Sequence, residues 1–185
     1  MNSDIMDAGA IRKPMNTEKK APPEDPIRQA ELILKLYELR RETIMREARS
    51  YVGGAFMPAS VDEFIQIVSA GDKCTGFVLQ VYGYWDMVAA FVRHGALDAD
   101  LVYDTCQEMY FQYAKIQPHI AQFREKMNLP EFMISIELVV EGSPKGRERL
   151  ATMQKNLAAL ASVRAALGVT TPGAGSKTSP SKPLE

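Results

Sequence analysis

Asp86 is the residue with the strongest claim to chemistry. It stands in the run GFVLQVYGYWDMVAAFVRHGALD, residues 76–98, where Gln80 is the only other strongly polar side chain between Phe77 and Val92. A carboxylate carried into apolar surroundings must be paired, hydrogen-bonded or neutralised. Carboxylates perturbed in that way are concentrated at working sites. Tyr82, Tyr84, Trp85, Tyr103 and Tyr110 supply aromatic surface that can line a small pocket beside it. Asp104 and Glu108 are spaced i,i+4, so on one helix both can point at a single ligand. Tyr82, Trp85, Asp86, Asp104 and Glu108 therefore form the candidate ligand-binding set. The competing reading of Asp86 is structural: it pairs with a core arginine, Arg41 or Arg164. Breaking a buried pair costs about 3–5 kcal/mol, which is reason enough to keep one.

Other chemistries find less support. GAGSKT at residues 173–178 resembles a phosphate loop superficially, but that motif needs glycine directly before lysine and a strand and helix around it. Here Ser176 precedes Lys177 in a Pro/Gly/Ser-rich context. His94 and His119 are the only histidines, and no Glu-x-x-His pair of the helix-bundle di-metal type occurs. His94 suits a helix C-terminus, where a cation meets the negative end of the dipole; His119 reads as a surface residue. Cys74 and Cys106 fall near apolar helical positions, where cysteine acts as a small hydrophobe. No metal, no cofactor and no catalytic residue is assigned.

The elements that must position the candidates follow from pattern. The chain has 185 residues, 46% hydrophobic and 24% charged, which fits one soluble domain. A net charge of −1 gives no global attraction to nucleic acid or anionic lipid. Two cysteines are too few for a disulfide framework. The first 25 residues lack the apolar core of a signal peptide, so the cytoplasm is expected.

The central run is too long for a buried strand. Phe77, Val81, Trp85, Val88 and Val92 step by three and four and form one helical face. Gly76, Gly83 and Ala90 lie on another strip, and glycine in a helix suggests that a neighbouring backbone comes close there. The run is shorter than the ~20 apolar residues of a membrane span, and Asp86 sits within it. Membrane association through helix 74–94 is thus a third reading. Gly95 ends the helix and Asp98 caps the next, which makes those two antiparallel neighbours.

Asp25-Pro26 opens a helix expected to run to Val52, with a heptad seam of Ile27, Ala30, Leu34, Tyr37, Arg41, Ile44, Ala48 and Tyr51. Its RRETIMREAR segment interleaves acid and base, the mark of a solvated face and not of a nucleic-acid patch. Ser60 and Glu63 form a capping box for a short helix over 61–70. Another helix covers 99–117, and Pro118 starts the next, since an interior proline costs about 3 kcal/mol. Residues 131–141 alternate as a strand would, but Pro130, Gly142 and the lack of a pairing strand favour helix. Ser143-Pro144 opens the last helix, to Leu167, with Leu150, Met153, Leu157, Leu160, Arg164 and Leu167 as its seam.

Glu38-Leu39-Arg40-Arg41, Gly83-Tyr84-Trp85 and His94-Gly95-Ala96-Leu97-Asp98 together resemble an uncharacterised, mostly helical bacterial domain family of unknown function, over residues 30–140. The resemblance implies a bacterial, helical, non-enzymatic module and carries over no catalytic residue.

The expectation is an all-α protein: an irregular bundle of six to seven helices with a buried central helix over residues 26–168. Disordered segments at 1–25 and 169–185 flank it. Its function is expected to be non-enzymatic protein interaction or scaffolding, as a homodimer through the seams of the terminal helices. The alternative is a small-molecule or enzymatic pocket around Asp86.

Overall fold

The computed structural model describes residues 25–167. The terminal segments, including GAGSKT and nearly all of the stretches expected to be disordered, lie outside them. Eight helices make up the described chain: α1 (Pro26–Leu39), α2 (Thr43–Gly54), α3 (Val61–Ser69), α4 (Lys73–Arg93), α5 (Ala99–Thr105), α6 (Gln107–Met127), α7 (Ile134–Glu141) and α8 (Pro144–Ala166). No strand occurs among the described residues.

The helix starts follow the caps in the sequence. Side chains of Asp25, Ser60, Asp72, Asp98 and Ser143 each accept a backbone N–H in the first turn of their helix. Each satisfies a donor that a helix N-terminus otherwise leaves free. Gly95 adopts φ +76 immediately after α4, as the turn requires.

The helix α4 packs against α2, α3 and α7. Val78, Val81, Tyr82, Trp85, Val88 and Ala89 are buried along it. It is not covered all round. Leu79, Gly83 and Met87 face solvent, and a Cβ placed at Gly76 or Gly83 would meet nothing within 4 Å. No backbone approaches the glycine strip, contrary to expectation. The helix that follows, α5, packs on α6 and is not among the main neighbours of α4.

Three boundaries differ from the sequence reading, which is why there are eight helices and not six or seven. The first helix is broken after Leu39, and α2 starts at Thr43. The buried residues of α1 are Gln29, Ile33 and Leu36, followed by Arg40. The expected seam residues Ile27, Leu34, Tyr37 and Ile44 are exposed instead. The second difference is a break at Cys106, which splits the expected 99–117 helix. Carbonyls freed there are taken by side chains: Tyr37 donates its hydroxyl to Thr105 O at 3.2 Å, and Arg149 donates to Tyr103 O. Third, α6 runs on through Pro118. The missing N–H is offset by packing on either side, where Tyr113, Ile116, Ile120 and Phe123 are all buried. His119 is half-buried, its Nε2 3.1 Å from Pro58 O.

α7 is helical, as expected for 131–141, but begins at Ile134 after Met133 in the left-handed region at φ 53. α8 packs its first half on α6 and α7. Leu150 and Leu157 are buried, whereas Leu160 and Val163 beyond them are exposed.

Candidate functional site

The five residues singled out from the sequence do not converge. Tyr82 is buried against Phe56, with ring centroids 5.7 Å apart, and its hydroxyl donates to Gln112 O at 2.9 Å. Asp104 is exposed, and the break at Cys106 separates it from the helix that carries Glu108. Asp86 is half-buried, and its Oδ1 accepts the Ile136 N–H at 3.0 Å. Met133, at the cap position of α7, offers no side-chain oxygen, so Asp86 supplies from α4 the acceptor that an N-cap residue would normally provide. The expected arginine partners are elsewhere. Arg164 donates to Gly54 O at 3.0 Å, and Arg41 is exposed.

Only Trp85 and Glu108 are brought together, and what joins them is Arg40. The break between α1 and α2 turns Arg40 inward until it is 9% exposed. Its guanidinium lies 4.8 Å from the Tyr37 ring centroid and 5.0 Å from that of Trp85, a geometry in which cation–π attraction is strong. Arg40 Nη2 also donates to Glu108 Oε2. From α2, Arg49 donates through Nε to both Glu108 oxygens at 3.0 Å and through Nη2 to Oε2 at 2.5 Å. One carboxylate on α6 is thus shared by two guanidinium groups from either side of the α1–α2 break. Tyr84 closes the base, donating to Leu36 O at 2.9 Å and packing edge-on against Trp85.

The electrostatics follow from this geometry. Burial pushes the Glu108 carboxyl up, but the hydrogen bonds and charges of Arg49 and Arg40 outweigh it and hold the pKa below the ordinary carboxylate value. Burial raises the Tyr84 and Cys106 pKa values, so both stay protonated near neutrality. Glu108 is therefore an anion with no spare proton and no basic character at pH 7. Cys106 is a thiol, not a nucleophilic thiolate. Among the described residues no three His, Cys, Asp or Glu side chains gather as a metal-ligand set.

Above Arg40 an open cleft of 480 Å³ is lined by Leu34, Tyr37, Glu38, Arg40, Arg41 and Arg49. Arg40 and Arg49 escaped the sequence reading. The signal in the sequence is an arginine interrupting the apolar pattern of the first helix; the seam points to Arg41, whereas the structure buries its neighbour Arg40.

The fold and site define an all-helical domain with a partly buried arginine–glutamate–arginine cluster joining α1, α2 and α6. Residues 26–143 match the domain of unknown function DUF4760, and the chain belongs to that family. The match takes in α1 through α7 and ends just before α8. No curated protein and no solved structure matches the chain.

Proposed function

We propose that this protein is a non-enzymatic interaction module that self-associates through the second half of α8. The observation that carries the reading is the stretch after Leu157. From Ala158 to Leu167 every residue is exposed except Arg164, which is half-buried. Leu160, Val163 and Leu167 step by three and four there. A helical segment of that length without tertiary cover is marginal in water, and a regular apolar stripe on it calls for a partner.

A second copy is the occupant that fits best. Arg164 is the only charged side chain in the segment, and it is engaged with Gly54 O. A surface so poor in charge offers nothing for an oppositely charged foreign partner to read. Ala158, Ala161 and Ala165 let an identical helix approach closely in a two-fold arrangement. Cys74 and Cys106 are both free thiols, which fits a reducing cytoplasm.

The rival reading, a pocket around Asp86, finds that carboxylate already engaged as the cap of α7. For the membrane reading, no helix among the described residues is long and apolar enough to cross a membrane. Light scattering over micromolar concentrations tests the proposal. A dimer mass that falls to the monomer mass in Leu160→Glu/Val163→Glu supports it. A wild-type chain that stays monomeric throughout overturns it.

A further inference from the structure

We infer that the cleft over Arg40 is a binding site for a small organic monocarboxylate with an apolar or aromatic body. Three features of the cleft select that class.

The first is fixed geometry. Arg40 is clamped between Tyr37 and Trp85 and tethered to Glu108, so its guanidinium plane is set before any ligand arrives. Arg40 Nη2 is taken by Glu108 and Nε is buried without a partner, which leaves Nη1, with no hydrogen bond among the described residues, as the remaining donor. A pre-oriented guanidinium loses little freedom on binding, and its remaining Nη1 can give a carboxylate one charge-assisted hydrogen bond. Arg49 spends Nε and Nη2 on Glu108, so its contribution to a ligand in the cleft is chiefly its charge.

The second is charge. Arg40, Arg41 and Arg49 line the cleft together with Glu38, and Glu108 lies directly behind. Three cations against two anions leave a single positive charge. That balance suits one carboxylate and leaves a phosphate dianion over-charged.

The third is the wall. Leu34 is 64% and Tyr37 43% exposed, and both face the cleft. An apolar body can cover them while its acid group meets the guanidinium groups. The volume of 480 Å³ lies within the range of about 300–1,000 Å³ typical of small-molecule sites.

Arg41 makes the test clean. It is exposed, and its side chain forms no hydrogen bond or ion pair among the described residues, so Arg41→Gln leaves the fold in place. Isothermal titration of the full chain with 3-phenylpropionate, 3-phenylpropionamide and inorganic phosphate is the experiment. We expect saturable binding of the acid, weakened about tenfold or more by loss of the charge in the amide and by Arg41→Gln. Circular dichroism confirms that the variant is folded. The inference is overturned if the acid does not bind saturably, if the amide or the variant binds as well as the reference pair, or if phosphate binds as tightly as the acid.

Discussion

Asp86 on α4 caps α7 from outside: its Oδ1 accepts the Ile136 N–H at 3.0 Å, across fifty positions of chain. The carboxylate that looks most functional in the sequence is a fastener between two helices. Beside it, Arg93 Nη1 donates to Ser135 Oγ at 3.0 Å, so α4 grips the first turn of α7 at two points.

Asp86→Ala should therefore destabilise the fold by about 1–2 kcal/mol, the usual cost of losing a side-chain cap. Asp86→Asn, which keeps an acceptor oxygen, should cost less than half of that. Urea unfolding curves with a shared slope measure both. Equal losses in the two variants would mean that the charge, and not the cap, is what matters.

How much of this was legible in the sequence depends on whether local signals decide the outcome. The caps at Asp25, Ser60, Asp72, Asp98 and Ser143 act within three residues, and the first turns they open are where the pattern suggests, with Asp72 the one not singled out. The breaks after Leu39 and at Cys106 carry neither glycine nor proline. They are made by distant partners, Glu108 and Trp85 for Arg40, and Tyr37 and Arg149 for the carbonyls of α5. The pattern leaves the phase of α1 ambiguous because Leu32, Ile33, Leu34, Leu36 and Leu39 place apolar groups nearly all round the helix. Several stripes fit such a pattern, and only tertiary contact selects Ile33 and Leu36. Pro118 misled for the opposite reason: a strong local rule was outweighed by the buried residues on either side of it.

Glu108 is the single anion between Arg40 and Arg49, with a side chain 17% exposed. Removing its charge in Glu108→Gln leaves Arg40 buried and uncompensated, at a cost of about 3 kcal/mol. The acid limb should change as well. Because the folded pKa lies below the unfolded value, about 4.3, the stabilisation is complete above that value and is lost as pH falls through the folded pKa. The wild type should lose stability more steeply than Glu108→Gln below about pH 4.3. Denaturant midpoints between pH 7 and pH 3 read both effects.

Lys115 is 5% exposed and donates to Val52 O at 2.5 Å and Gly53 O at 3.4 Å, at the C-terminus of α2. Burial lowers its pKa from 10.5 to about 8, against the opposing pull of Glu108. Above pH 8 the folded chain sheds this proton before the unfolded chain does, so stability should rise with pH from about 8 towards 10. Lys115→Met should remove that rise. Burial raises the Tyr51 and Tyr110 pKa values to about 12, so their contribution runs the other way and is lost above about pH 10. Thermal melts at half-unit steps from pH 7 to pH 11 test the pair of slopes.

Gly83 lies mid-helix in α4 on the solvent side, with open space where a Cβ would go. Gly83→Ala should stabilise the protein by about 0.5–1 kcal/mol through reduced freedom of the unfolded chain. A loss of stability in chemical denaturation would show instead that this strip is covered in solution.

Hydrogen exchange resolved by residue tests self-association through α8 most directly. The segment from Ala158 to Ala166 has almost no cover among the described residues, so protection of its amides that depends on protein concentration reports a second copy. The account predicts that their protection climbs as protein concentration is raised through the micromolar range, while the buried turns of α4 stay protected throughout. Protection of α8 that is the same at every concentration, in a chain that remains monomeric, would contradict it.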